Sequence, residues 1–172
     1  MNVTPFIRSA TEVDAAALLA IYRPYVERTA VSFETAVPTV EEFVGRITTA
    51  VAGWAWLVAE AEGEWVGYAY AAPHRKRPAY RWSVETSVYV RDDYQRRGIA
   101  RALYAELFKV LIGKGFCNAL AAVTLPNPAS VALHQSVGFQ PIGIFKAVGR
   151  KFGVWHDVAW YQRALRDTPP AE

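Results

Sequence analysis

Cysteine is nearly absent from this chain: Cys117 is alone among 172 residues. An intrachain disulfide is therefore excluded, which fits a reducing, cytoplasmic setting. At the start of a strand Cys117 reads as a small buried residue, with an acyl-accepting nucleophile as the sharper alternative. Long apolar runs are absent too. The longest apolar helical stretch, Ala15 to Tyr22, is far too short to span a membrane. Met1 to Pro5 shows no basic region followed by an apolar run, so no signal peptide is expected. Charge of one sign is not in large excess. A net charge of +3 is too mild to argue for nucleic acid, and the basic clusters lack interleaved aromatics or a recognised module. His74, His134 and His156 show no metal-ligand spacing, so no metal is expected. Repeats, low-complexity segments and interdomain linkers are missing as well.

What is present is a hydrophobic content of 52% with 20% charged residues, which excludes a disordered chain. The length favours one domain, residues 1–166, with a frayed tail at 167–172. Val3 to Arg8 reads as a strand. Thr11, followed by Glu12 and Asp14, reads as a helix N-cap, and Pro24 as the point where that helix ends or bends. Thr39 to Glu42 is a capping box for a second helix carrying Phe43, Val44, Ile47 and Val51. Trp54–Glu60 and Trp65–Ala72 form a hairpin about Glu62-Gly63. Pro73 to Pro78 is a basic loop, and Tyr80 to Val90 the next strand. Ile99, Leu103, Leu107 and Leu111 repeat at helical spacing. Ala119–Leu125 is a strand, Ser130–Val137 a short helix closed by Gly138, and Pro141–Val148 and His156–Leu165 are the last strands. The order predicts an α/β (α+β) domain with a central, mostly antiparallel, twisted sheet flanked by helices.

The most informative stretch runs from Glu85 to Leu103. It is a strand, a polar turn (Gln95, Arg96, Arg97, Gly98, Ile99, Ala100) and a helix start. A helix N-terminus offers unpartnered backbone N–H groups and the positive end of the helix dipole. Gly98 lets a ligand approach that backbone, and Arg96, Arg97 and Arg101 add positive charge. The turn is suited to a phosphate or pyrophosphate; the bland alternative is an ordinary helix cap with surface arginines. Neither Gly-x-x-x-x-Gly-Lys-Ser/Thr nor Gly-x-Gly-x-x-Gly occurs after a strand. Glu85, on the strand feeding the turn, is either a base acting on a phosphate-tethered substrate or a carboxylate paired with an arginine.

The pattern Gln-x-x-Gly-x-Ala at residues 95–100 resembles the pyrophosphate signature of the GNAT superfamily of acyl-CoA-dependent N-acyltransferases. Three longer segments narrow the likeness: Ala72 to Glu85, Leu125 to His134 running on to Phe139, and Gly149 to Asp157. Val31 to Thr35 fits as well. All are similar to the phosphinothricin N-acetyltransferase family, which includes methionine sulfoximine and methionine sulfone acetyltransferases, and the resemblance runs from about Val3 to Leu165. It implies the GNAT fold, acetyl-CoA as donor, and direct transfer to the α-amino group of a small amino-acid-like compound. Acetylation of a protein N-terminus or lysine is the rival enzyme reading, and a non-catalytic acyl-CoA-binding module the rival outside enzymes.

The resemblance also implies residue roles. Glu85 is the general base, and His134 protonates the departing thiolate or holds the cofactor sulfur; a core histidine is the alternative for the latter. The backbone of Val88, Tyr89 and Val90 pairs with the pantetheine arm. Gln95, Arg96, Arg97, Gly98, Ile99, Ala100 and Arg101 hold the pyrophosphate, and Asn127 reaches the cofactor unless it is only a turn or cap residue. Arg75, Lys76, Arg77 and Arg81 form a basic cluster that either captures the substrate's carboxylate or phosphinate or is a solvated loop, with Arg77 and Tyr80 matching the family pattern best; Glu85, Thr86 and Ser87 complete the substrate contacts, and Phe33 and Trp82 are pocket walls or core packing. His74 stands where some relatives carry an aromatic, and His156 supports a strand turn. A homodimer is expected.

Overall fold

The computed structural model describes residues 4–167. In chain order the elements are β1 (Phe6–Ser9), α1 (Ala15–Arg28), α2 (Val40–Gly53), β2 (Ala55–Ala61), β3 (Glu64–Pro73), β4 (Ser83–Val90), α3 (Ile99–Gly113), β5 (Asn118–Thr124), α4 (Pro128–Ser136), β6 (Gln140–Lys151) and β7 (Val154–Ala164). The strands form one seven-stranded sheet in the order β1-β2-β3-β4-β5-β7-β6. Only β4 and β5 run parallel; the other neighbours are antiparallel. The expected α/β architecture with a mostly antiparallel sheet is the one observed. Val3 of the expected first strand, and the tail from residue 168, lie outside the described residues.

Alternation along the strands divides the core between the two sheet faces. On one face α3 lays down Ile99, Leu103, Leu107 and Leu111, one residue per helical turn, all essentially inaccessible. They pack with Ala69, Val84 and Phe139. On the other, Leu18, Tyr22, Phe43 and Ile47 of α1 and α2 meet Trp56, Val58 and Tyr68. Burying each large side chain stabilises the fold by roughly 1.5–3 kcal/mol. The same alternation sends Val84, Thr86, Val88 and Val90 of β4 towards α3, and Glu85, Ser87 and Tyr89 towards α1 and α2.

Local signals explain most boundaries. The Thr39 side chain accepts from the Glu42 N–H at 3.1 Å while Glu42 answers the Thr39 N–H at 2.8 Å, which starts α2 as expected. Glu62 and Gly63, both at positive φ, turn β2 into β3 in the two-residue form that matches strand twist. Among the boundaries that differ from the sequence reading, three lie near the site or its support. Thr11 precedes a 3-10 turn, Glu12–Asp14, and α1 begins only at Ala15. Pro24 does not end α1, which runs on to Arg28; Val26 is buried and the Tyr25 hydroxyl reaches the Val90 carbonyl, so tertiary contacts hold the last turn. Tyr80 is not in β4. It closes a second 3-10 turn, Pro78–Tyr80, and the strand starts at Ser83.

Candidate active site

The parallel pairing of β4 with β5 covers only Ser83, Val84 and Glu85, opposite Asn118, Ala119 and Leu120. Beyond Glu85 the two strands part. From Thr86 to Val90 strand β4 keeps β3 on one side and has no strand on the other, while β5 continues against β7 as far as Thr124. A strand edge inside a sheet presents unpaired backbone donors and acceptors, so an extended polar arm fits between the two strands as a guest strand. Glu85 sits at the apex of this opening.

The open edge leads into the turn before α3. Gly98 is the N-cap of α3 at φ +89, a left-handed conformation that side chains disfavour, and Arg96 precedes it at φ +59. Arg96, Arg97 and Arg101 are exposed around the helix start. Arg97 leans over the Tyr94 ring at 4.8 Å, and Arg91 at 4.6 Å. The Gln95 amide donates to Asp92 Oδ1 at 3.0 Å and to the Tyr25 hydroxyl at 3.2 Å. Tyr25 in turn donates to the Val90 carbonyl at 2.5 Å. Gln95 therefore fixes the turn to α1 and to the end of β4. Tyr25 was not legible as a site residue, because on α1 it reads as one more apolar-face aromatic.

Glu85 is bound to a residue that sequence reasoning set aside. His74 Nδ1 lies 2.8 Å from Glu85 Oε1. A carboxylate can only accept, so Nδ1 carries the hydrogen and donates. The Glu85 side chain is 37% exposed and that of His74 14%, so the histidine stands behind the carboxylate. Tyr80 meets the His74 ring edge-on at 5.6 Å, and Trp160 does so at 6.3 Å. Arg75, Lys76 and Arg77 are exposed on the loop just beyond. Arg81 stacks over Trp82 at 5.1 Å.

Other expected site residues are placed differently. His134 is 5% exposed. Its Nδ1 donates to the Ser130 carbonyl at 2.7 Å, which leaves Nε2 to accept from the Tyr104 hydroxyl at 2.9 Å. Burial pushes its pKa down. His134 thus sits as a buried residue bonded through both ring nitrogens. Thr86 is buried on the α3 face, opposite Glu85, and its hydroxyl donates to the Leu120 carbonyl at 3.2 Å; strand alternation removes it from the substrate side. Phe33 packs on Gly149, where an added Cβ would fall 2.0 Å from the ring, and faces His156 at 6.1 Å. It belongs to the contact between the α1–α2 loop and the β6–β7 hairpin. Lys151 locks that contact by donating to the carbonyls of Val26 and Ser32 at 2.7 and 2.6 Å. Asn127 is the N-cap of α4, its Oδ1 accepting from Ser130 N–H at 3.1 Å, which leaves the amide nitrogen for a ligand. Cys117 is buried, its thiol directed at the Gly115 carbonyl.

On the Glu85 face, a cavity of about 580 Å³ lies between α2 and the sheet. Phe43, Arg46, Trp56, Tyr68, Tyr70 and Ala72 line it. Ala72 is the register partner of Glu85, so the cavity reaches the apex of the strand opening. Trp56 stacks on Tyr70 at 4.4 Å, and its indole N–H is buried without a hydrogen-bond partner. A buried donor left unpaired costs about 1–3 kcal/mol.

A parted β4–β5 pair, a glycine-capped basic turn and a carboxylate at the apex together suit acyl transfer from a pantetheine thioester. The comparisons agree. The family model for the acetyltransferase (GNAT) domain matches residues 7–160. The chain is 41% identical over 157 residues to a phosphinothricin N-acetyltransferase of Streptomyces viridochromogenes, covering 91% of this chain and 86% of that one. It is 37% identical over 167 residues to an L-methionine sulfoximine/L-methionine sulfone acetyltransferase of Pseudomonas aeruginosa, covering 96% and 97%. A phosphinothricin acetyltransferase of Sinorhizobium meliloti, solved in complex with acetyl-CoA, superposes with a TM-score of 0.94 at 36% identity, covering 98% and 94%. The chain is an acetyl-CoA-dependent N-acetyltransferase of the GNAT superfamily and belongs to its phosphinothricin N-acetyltransferase family.

Proposed function

We propose that the acceptor is a compact amino-acid-like zwitterion of the phosphinothricin, methionine sulfoximine or methionine sulfone type, acetylated on its α-amino group by direct transfer. The observation that carries this reading is the position of Glu85, at the point where β4 and β5 part and beside the aromatic cavity. An ammonium must lose a proton before it attacks a thioester, and the Glu85 carboxylate supplies the base there. The free edge of β4 from Val88 to Val90 holds the pantetheine arm, and a backbone N–H near Val90 receives the developing oxyanion. Arg75 to Arg77 draw in the carboxylate, for which a guanidinium fork is well shaped. The acceptor's side chain extends past Ala72 into the cavity, among the aromatic walls of Phe43, Tyr68 and Tyr70. Burial of Cys117 away from this site supports direct transfer over an acyl-cysteine.

Thiol release from acetyl-CoA tests the reading against a panel of amino acids, amines and peptides. Methionine sulfoximine or phosphinothricin should give higher kcat/KM than a simple amine, an amino-acid amide or a lysine peptide. Peptides outperforming every free amino acid would favour a protein acetyltransferase, and no thiol release with any amine would favour a binding module. Acetyl-CoA binding should depend on the turn. Gly98→Val places a β-branched side chain at φ +89 and crowds the approaching pyrophosphate. Its acetyl-CoA dissociation constant should rise at least tenfold, about 1.4 kcal/mol; unchanged affinity by calorimetry in the folded variant would remove the turn from the site.

The protein also acts as a homodimer in this reading. β6 is an edge strand exposed along nearly its whole length, and Ile142, Ile144, Phe145 and Val148 are each about half accessible. An apolar open edge invites pairing with another copy. Light scattering at micromolar concentration should give twice the chain mass; a value near 19.1 kDa would overturn it.

A further inference from the structure

We propose that His74 is a positioning residue for the base: its Nδ1–H holds the Glu85 carboxylate in place to take the proton leaving the acceptor's ammonium. The inference rests on Glu85 serving the amine and names what aims it. With Nδ1–H given to Glu85 Oε1 at 2.8 Å, the imidazole is held in one tautomer, and Nε2 keeps its lone pair. Donation to Oε1 fixes the orientation of the carboxylate at the apex of the strand opening.

The surroundings suit that role. Glu85 on β4 is the carboxylate that faces the ring. Tyr80 approaches from the 3-10 turn and Trp160 from β7, and both present edges to the imidazole. The backbone N–H of His74 donates to the Ser83 carbonyl at 3.4 Å, anchoring the residue to the start of β4. The positive groups nearby are Arg75, Lys76 and Arg77 on the same loop and Arg81 beyond it. The steps balance as follows. One ammonium N–H bond breaks, and its proton passes, directly or through one water, to the Glu85 carboxylate. The freed nitrogen lone pair attacks the thioester carbonyl. As the C–S bond breaks, the nitrogen sheds a second proton, which ends on the thiolate. The Glu85 carboxyl then returns its proton to water.

Three variants of the full-length enzyme test the pair, each with acetyl-CoA affinity and melting temperature as controls. His74→Phe keeps an aromatic ring and removes both nitrogens; its kcat should fall about 100-fold, the low end for losing a positioned base. His74→Ala should be partly rescued by added imidazole, an effect that a packing role would not give. In the wild type, ¹⁵N NMR should show the neutral ring protonated at Nδ1. Wild-type turnover in His74→Phe, no rescue of His74→Ala, or an Nε2–H tautomer would overturn the pair. Wild-type turnover in both His74→Phe and Glu85→Gln would instead overturn the assignment of Glu85 as base.

Discussion

Glu85→Gln should lose roughly 10²–10⁴ in kcat, the range for removing a general base, with acetyl-CoA affinity nearly intact. The substitution isolates chemistry from structure. An amide oxygen still accepts the His74 Nδ1–H that Glu85 Oε1 receives at 2.8 Å, so the side chain keeps its place. What disappears is the negative charge that attracts the ammonium and supports a nearby proton. In the proposed reading the amine meets Glu85 where β4 leaves its register with β5. The loss should therefore appear in kcat and kcat/KM for the amine, and the dissociation constant for acetyl-CoA should not follow. It should also shrink as pH rises, because free amine becomes abundant and the base redundant. Steady-state kinetics from pH 6 to 10 with calorimetry at pH 7 would decide the matter. Wild-type turnover at pH 7 would make Glu85 a structural carboxylate.

The second large effect is on stability and lies far from the site. Asp14 is wholly inaccessible. Its carboxylate accepts both arms of the Arg8 guanidinium at 2.8 Å, the Thr11 N–H at 2.8 Å and the Trp65 indole N–H at 2.9 Å. It ties β1, the entry to α1 and β3 into one contact. Asp14→Ala leaves those donors facing a gap. Breaking a buried pair by removing one partner costs about 3–5 kcal/mol. Arg8 is 30% exposed and can rehydrate, so the low end, about 3 kcal/mol, is expected. In a domain of this size that lowers the melting temperature by about 6–12 °C. The hydrogen bond from Arg8 holds the Asp14 carboxyl well below the usual carboxylate range. A depressed folded-state pKa contributes stability that is present above the unfolded value of about 3.9 and is lost as pH falls towards the folded one. The gap between wild type and variant should hold steady at neutral pH and narrow below about pH 4. Urea unfolding at a series of pH values measures it, and a gap under about 1 kcal/mol at pH 7, or one unchanged at pH 3, would refute the account.

Asp14 shows why part of the molecule was hidden in the sequence. As the third residue after Thr11 it reads as an acidic residue of a helix first turn, and it closes the 3-10 turn before α1; that Arg8 and Trp65 converge on it depends on pairing across the sheet. The β6–β7 hairpin shows the same divide. Its strands meet at Phe152-Gly153, with Phe152 at φ +50. A phenylalanine in the left-handed region is not a turn signal, so the segment from Gly149 to Trp155 read as a gap between strands instead of the extension that Lys151 clamps onto the α1–α2 loop.

The sequence by itself determined the order of elements, the sheet's mostly antiparallel character and the glycine turn before α3. These rest on interactions within a few residues: the periodicity of Ile99, Leu103, Leu107 and Leu111, the capping box at Thr39, and the freedom of Gly98 at positive φ. It also pointed to Glu85 as the carboxylate of interest. Tertiary structure alone decided which neighbours each polar group would have. It set His74 against Glu85 across eleven residues, and it buried His134 between Tyr104 and the Ser130 carbonyl. It turned Thr86 to the face opposite Glu85, and it parted β4 from β5 after three paired residues. Hydrogen-bond partners and strand register are set by chain segments that are distant in sequence, and local pattern carries no record of them.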